Sequence, residues 1–161
     1  MASIGNLQSY AMFGGVSDQQ LIVLSRLLKA ETFPEGAFLF HQGDKADRLF
    51  FIQQGQVEVL NRLSDDTLVP LAKRQEGDSI GEMAIIDQQN RSASVRALES
   101  VTVLSLSCAA LSELHRTDPE LYTLMLMNLA RELSRRLRAT DAVVASSLFA
   151  RSVANAEIGK F

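Results

Sequence analysis

The apolar residues change period twice along the chain. Between Ser17 and Ala30, Leu21, Ile22, Leu24, Leu27 and Leu28 recur at helical spacing behind Ser17-Asp18, an N-cap signal, so the pattern predicts a helix over 17–30. From Thr32 to Leu106 the apolar runs shorten, at 37–40, 49–52, 57–60, 68–72, 94–97 and 101–106. They alternate with turn clusters such as Gln42-Gly43-Asp44 and Ser64-Asp65-Asp66. Short strands at that rhythm predict a small antiparallel barrel or roll over 32–106. Helical spacing returns at 108–116. Asp118-Pro119-Glu120 then supplies an N-cap, a proline at the first helical position and an acidic first turn. From Leu121 to Glu157 no glycine or proline intervenes, and the pattern predicts one long helix over 118–157, with the tail from Asn155 expected to fray.

That helix carries Leu126, Leu129, Leu133, Leu137, Thr140, Val143, Val144 and Ser147 at spacings of three and four, more stripe than one small roll can cover. A projecting stripe of this kind ordinarily buries itself against a copy of itself, which predicts a parallel, coiled-coil-like homodimer through 118–157. Arg136, Thr140 and Ser147 lie on or beside the stripe, either as solvated flanks or as groups that meet a ligand or the partner chain.

Composition narrows the function classes. At 161 residues and 47% hydrophobic, the chain suits one domain over 1–161 with a real core. A net charge of −3 and a pI near 5.4 leave no basic footprint for nucleic acid or an anionic membrane. No apolar run approaches the roughly 20 residues of a membrane span, and MASIGNLQSY lacks the form of a signal peptide, so the expected location is the cytoplasm. Cys108 has no second cysteine to pair with and reads as a small core residue. His41 and His115 stand far apart, without carboxylate or cysteine company at ligand spacing, so no metal centre is expected. No nucleophile, base and orienting group assemble and no triphosphate-binding loop is present, so an enzyme is not expected.

One stretch asks for a ligand: residues 77–97, GDSIGEMAIIDQQNRSASVRA. Gly81 stands where backbone must approach something closely, Glu82 offers one carboxylate, and Met83-Ala84 begin a short helix whose free N–H groups suit an anion. After the polar turn 87–90 comes a single cation, Arg91, with small Ser92-Ala93-Ser94 behind it. Taken alone, Arg91 is an ordinary surface arginine and Glu82 a carboxylate favoured by a helix dipole. Together they suit a ligand with one phosphate charge and at least one hydroxyl.

The stretch resembles the phosphate-binding cassette of cyclic nucleotide-binding domains, as in bacterial catabolite-activator-type regulators and cyclic-nucleotide-dependent kinases and channels. Residues 33–60, with the Gly43-Asp44 and Gly55 turns, resemble the family's early roll strands, and 118–147 its long C-terminal helix. The resemblance implies an α+β fold: an antiparallel, jelly-roll-like β-roll (double-stranded β-helix) with an N-terminal helix, a short cassette helix and a long C-terminal helix. It implies cAMP as ligand, with cGMP second, and no catalytic cofactor. Arg91, Ser92, Ala84 and Ala93 would hold the phosphate, Glu82 and Gly81 the ribose, and Val59, Leu71, Ala72, Ile80, Met83, Thr140 and Asp141 the base. Thr140 matches one of two neighbouring family hydroxyls that meet adenine. Asp141 departs from the second, since an ionised aspartate cannot donate, and so leaves base selectivity open.

Only about twenty residues follow Asp141, too few for the winged helix-turn-helix that such regulators carry, so no direct nucleic-acid binding is expected. The output would run through a protein effector or a fused module, the chain being a stand-alone sensor or the sensory part of a regulator, kinase or channel. Met1 and the dimer-like helix lean towards a bacterial regulator or stand-alone protein. A ligand-free dimerisation or scaffold module is the alternative. Haem or an iron–sulfur cluster would need ligands that Cys108 and two scattered histidines do not offer. A second phosphate would need another cation, and Arg96, the near one, lies on a strand whose alternation turns it away.

Overall fold

The structure is a computed structural model and describes residues 7–158, without the side chains of Ala84, Ile85 and residues 152–158. The capping signal at Ser17 is realised as a reciprocal box: Gln20 N donates to Ser17 Oγ and Ser17 N donates to the Gln20 side chain. The helix it starts, α1 (Asp18–Leu27), stops short of the expected residue 30. Leu28 turns extended, and β1 (Lys29–Phe33) pairs antiparallel with β8 (Val101–Ser107). The backbone bonds offered by β8 outweigh the helical spacing of the leucines there.

The roll continues through β2 (Phe38–Phe40), β3 (Arg48–Gln54), β4 (Gln56–Arg62), β5 (Leu68–Gln75) and the two-residue β6 (Ser79–Ile80). After the short helix α2 (Met83–Asp87) come β7 (Ser94–Ala97) and β8. Two four-stranded antiparallel sheets result, ordered β1-β8-β3-β6 and β2-β7-β4-β5, an α+β jelly-roll. Val57, Ile52, Ile80, Val95, Val101 and Val103 pack the space inside it. The register between β4 and β5 shifts: Val59 faces Ala72, but Leu60 faces Pro70, so Leu71 falls in a bulge and is 58% exposed.

A second core lies between the roll and the helices. α3 (Cys108–Thr117), capped by Ser107, leads into α4 (Pro119–Ile158), whose first turn is capped by Asp118 accepting from Leu121 N at 3.0 Å. Leu121, Met125 and Leu129 of α4 are buried, whereas every described side chain from Leu137 onward is exposed. Helix persists through Ile158, past the start of the expected fraying, and residues 159–161 lie outside the described ones.

The N-terminal segment, read from sequence only for its lack of a leader, belongs to this core. Leu7, Tyr10, Met12, Phe13 and Val16 are buried around a 3₁₀ turn (Ala11–Phe13), with the rings of Phe13 and Tyr10 tilted against Phe51, centroids 4.7 and 5.1 Å away. Asn128 of α4 ties the turn down, its amide donating to Gly14 O at 2.8 Å and Met12 O at 3.3 Å while accepting from Arg131 at 3.0 Å. Asn128→Ala strands two backbone carbonyls, and a loss of about 1–3 kcal/mol is expected in chemical denaturation.

Candidate functional site

Arg91 is held by backbone and not by charge. Its N–H donates to Asp44 O, and its carbonyl accepts from Gly43 N, both at 2.8 Å, so the Gly43-Asp44 turn clamps the residue in place. Ser94 helps by accepting from Gln42 N at 2.8 Å. The guanidinium is 6% exposed; Nη2 donates to Arg48 O at 2.7 Å, Nη1 to Gly81 O at 3.3 Å, and Cζ sits 4.1 Å from the centre of the Phe40 ring. Burial pulls its pKa below the ordinary arginine value. No carboxylate of a described residue reaches ion-pair distance, and Nε, buried, has no hydrogen-bond partner. Asp47, the acid whose charge acts on it most, is instead paired with Arg48, whose hydrogen bond lowers the Asp47 pKa.

Gly81 makes this possible. Its φ is +76°, and a Cβ there would lie 2.4 Å from Arg91 Nη1. Any other residue would both strain the backbone and displace the guanidinium. Glu82 follows, 6% exposed, and makes no capping bond to α2. Its carboxylate pairs with Arg136 of α4, which also donates to Ser79 O at 3.2 Å and to Glu132 at 3.0 Å. Glu82, at the N-cap of α2, thus also links cassette and long helix, and Arg136 is no solvated flank.

These groups open onto a cavity of about 490 Å³ between the roll, α2 and α4, within the range of small-ligand pockets. Of the residues expected at the site, Val59, Ile80, Gly81, Glu82, Met83, Arg91, Ser92, Ala93 and Thr140 line it together. The backbone of Ala84 lies in the first turn of α2; its side chain lies outside the described residues. Leu71, Ala72 and Asp141 do not line it. Leu71 is turned out by the bulge, Ala72 is half-buried beside Val59 without reaching the cavity, and Asp141 is rotated about 100° from Thr140 on the helix and exposed. Arg96 points away, as alternation from Val95 requires, and pairs with Glu58 at 2.5 Å.

Sequence reading missed Phe40, Arg74, Ser79, Val95, Leu133 and Leu137 in the wall. Arg74 lay beyond the expected end of its strand; β5 runs on to Gln75, and counting by two from Ala72 would have placed Arg74 on the inner face. Cys108 is half-buried, and burial raises its thiol pKa, the opposite of an activated thiolate. Among the described residues no group of three or more His, Cys, Asp or Glu could hold a metal ion, and no helix is long and apolar enough to cross a membrane.

The packing of Arg91 on Gly81 yields a test. Gly81→Ala is expected to destabilise the fold by about 1–3 kcal/mol in thermal or chemical melts, from strain at positive φ and from displacement of the guanidinium.

Comparison with known proteins places the chain. Residues 30–118, more than half of it, match the family model described as cyclic nucleotide-binding domain. The cAMP-activated global transcriptional regulator CRP of Salmonella typhimurium is 33% identical over 118 residues, 73% of this chain and 54% of that protein. The CRP-like cAMP-activated global transcriptional regulator of Mycobacterium tuberculosis is 30% identical over 138 residues, 86% of this chain and 60% of that protein. The chain therefore spans little more than half the length of these curated relatives. Among solved structures, a cyclic nucleotide-binding domain from Methylobacillus flagellatus superposes with a TM-score of 0.80 at 28% identity, covering 89% of this chain and 81% of that one. On the cassette, the roll around it and these matches, the chain belongs to the cyclic nucleotide-binding domain family.

Proposed function

We propose that the chain is a receptor, not an enzyme, for a purine 3′,5′-cyclic nucleotide, the class to which cAMP, the activator named for its relatives, belongs. One observation carries the reading: Arg91 is a buried cation with no carboxylate counter-ion among the described residues, an Nε without a partner there, and an open cavity in front of it. A charge in that position demands an anion, and a single guanidinium suits the single negative charge of a cyclic phosphate. Ser92 and Ala93 extend the phosphate end. Glu82, acceptor-only when ionised, takes the ribose 2′-hydroxyl, and Val59, Ile80 and Val95 form the apolar wall for the base.

The same reading gives the signal a route. Glu82 already holds Arg136, so a hydroxyl arriving at that carboxylate changes the environment of the ion pair that joins cassette to α4. A ligand shifts α4 only by binding one helix arrangement better than another. The stripe on α4 supports a homodimer: Leu137, Val144 and Leu148 are 61%, 51% and 62% exposed at heptad-like spacing. The output passes to a protein effector or a fused module in the cytoplasm, without direct nucleic-acid contact by residues 1–161.

Titration calorimetry with cAMP and cGMP tests the receptor. Binding at micromolar or lower concentration is expected, and Arg91→Ala is expected to weaken it at least about tenfold, the loss of one or more charged hydrogen bonds. Absence of heat and of thermal shift with both nucleotides would remove the reading. For the helix, Val144→Glu with Leu148→Glu is expected to convert a dimer to a monomer in sedimentation analysis while the melting temperature stays within a few degrees. Arg136→Met is expected to abolish the ligand-induced change in hydrogen exchange over residues 133–148.

A further inference from the structure

A third arginine faces the cavity, and nothing in the phosphate or ribose assignments uses it. Arg74 stands on β5 directly opposite Val57 of β4, and Val57 is fully buried inside the roll, so the register places Arg74 on the inner face. It is half-buried and lines the cavity. Arg91 is engaged by carbonyls and Arg136 by Glu82, but Arg74 has no carboxylate at ion-pair distance among the described residues. Its one hydrogen bond, at 2.9 Å, goes from Nη1 to the carbonyl of its neighbour Lys73, leaving the rest of the fork free.

We infer that Arg74 is the specificity-determining residue of the pocket and selects guanine over adenine; the inference rests on the cyclic-nucleotide reading above. A guanidinium is donor-only and presents its N–H groups as a planar fork. Guanine offers two adjacent acceptors, O6 and N7, which match that fork. Adenine puts an amino donor beside N7 and sets donor against donor. Discrimination therefore comes from attraction to one base and repulsion of the other. Thr140 does not decide the matter. Its hydroxyl proton goes to Arg136 O at 3.0 Å, so it can only accept, and both an adenine amino group and a guanine N–H edge would satisfy it. The apolar walls are equally indifferent, and Arg74 is a cation of the wall with donors to spare for a base edge.

The test is a calorimetric comparison of cGMP, cAMP and cIMP on the full chain, its Arg74→Ala variant and its Arg74→Lys variant, each checked for an unchanged thermal melt. cIMP keeps the O6/N7 edge of guanine and lacks its 2-amino group. The wild-type chain is expected to bind cGMP and cIMP about 5- to 150-fold more tightly than cAMP, the range of a bidentate arginine–guanine pair. Arg74→Ala should remove that preference by weakening cGMP and cIMP while leaving cAMP unchanged or tighter. Arg74→Lys, which keeps the charge but not the fork, should lose most of it as well. A wild-type preference for cAMP, or an equal loss of all three ligands in Arg74→Ala, would overturn the inference while leaving the receptor standing. So would tighter, Arg74-dependent binding of a cyclic dinucleotide, since Arg74 would then meet a second phosphate. Failure of every cyclic nucleotide to bind the wild-type chain would overturn the receptor reading itself, and this inference with it.

Discussion

A guanidinium buried without a carboxylate partner is costly, and much of the local structure is arranged around Arg91 to tolerate it. Carbonyls of Arg48 and Gly81 accept from it, the Phe40 ring lies beneath it, and the Gly43-Asp44 turn grips its backbone from both sides. Neutral acceptors of this kind orient a cation without cancelling its charge. Pairing with Asp47 would have cancelled it, but that carboxylate is taken by Arg48. The result is a positive charge kept in a fixed place on the wall of the cavity.

Glu82, the next residue after the glycine that lets Arg91 pass, has the opposite arrangement. Its charge is cancelled by Arg136, a residue 54 positions later on the long helix. The cassette thus contains one open charge, which attracts a ligand, and one closed pair, which fastens the site to α4. Both sit on the walls of one cavity, so on the proposed reading occupancy and helix position would meet at neighbouring side chains without a long relay.

Much of this was legible from residue order. Gly81, Glu82, Arg91, Ser92 and Ala93, close in sequence, line one cavity, and the strands at 94–97 and 101–106 appear almost at their expected bounds because their apolar runs are intact. What failed was what tertiary pairing decides. β1 has the mixed sequence Lys29-Ala30-Glu31-Thr32-Phe33 and exists because β8 lies beside it. Leu71 left the pocket wall through a bulge that no local pattern announces, and Arg74 entered it because β5 runs three residues farther than its apolar run. Arg136 showed only as a blemish on an apolar stripe, since Glu82, the carboxylate that joins it to the cassette, is remote in sequence.

The bulge that turned Leu71 outward matters beyond the pocket. β5 is the outer strand of its sheet, the place where a foreign strand would add itself. Pro70 has no N–H to offer such a visitor, the displaced register breaks the even row of donors and acceptors, and Lys73 is exposed along the same margin. Copies of this chain are thereby discouraged from growing sheet to sheet into fibres.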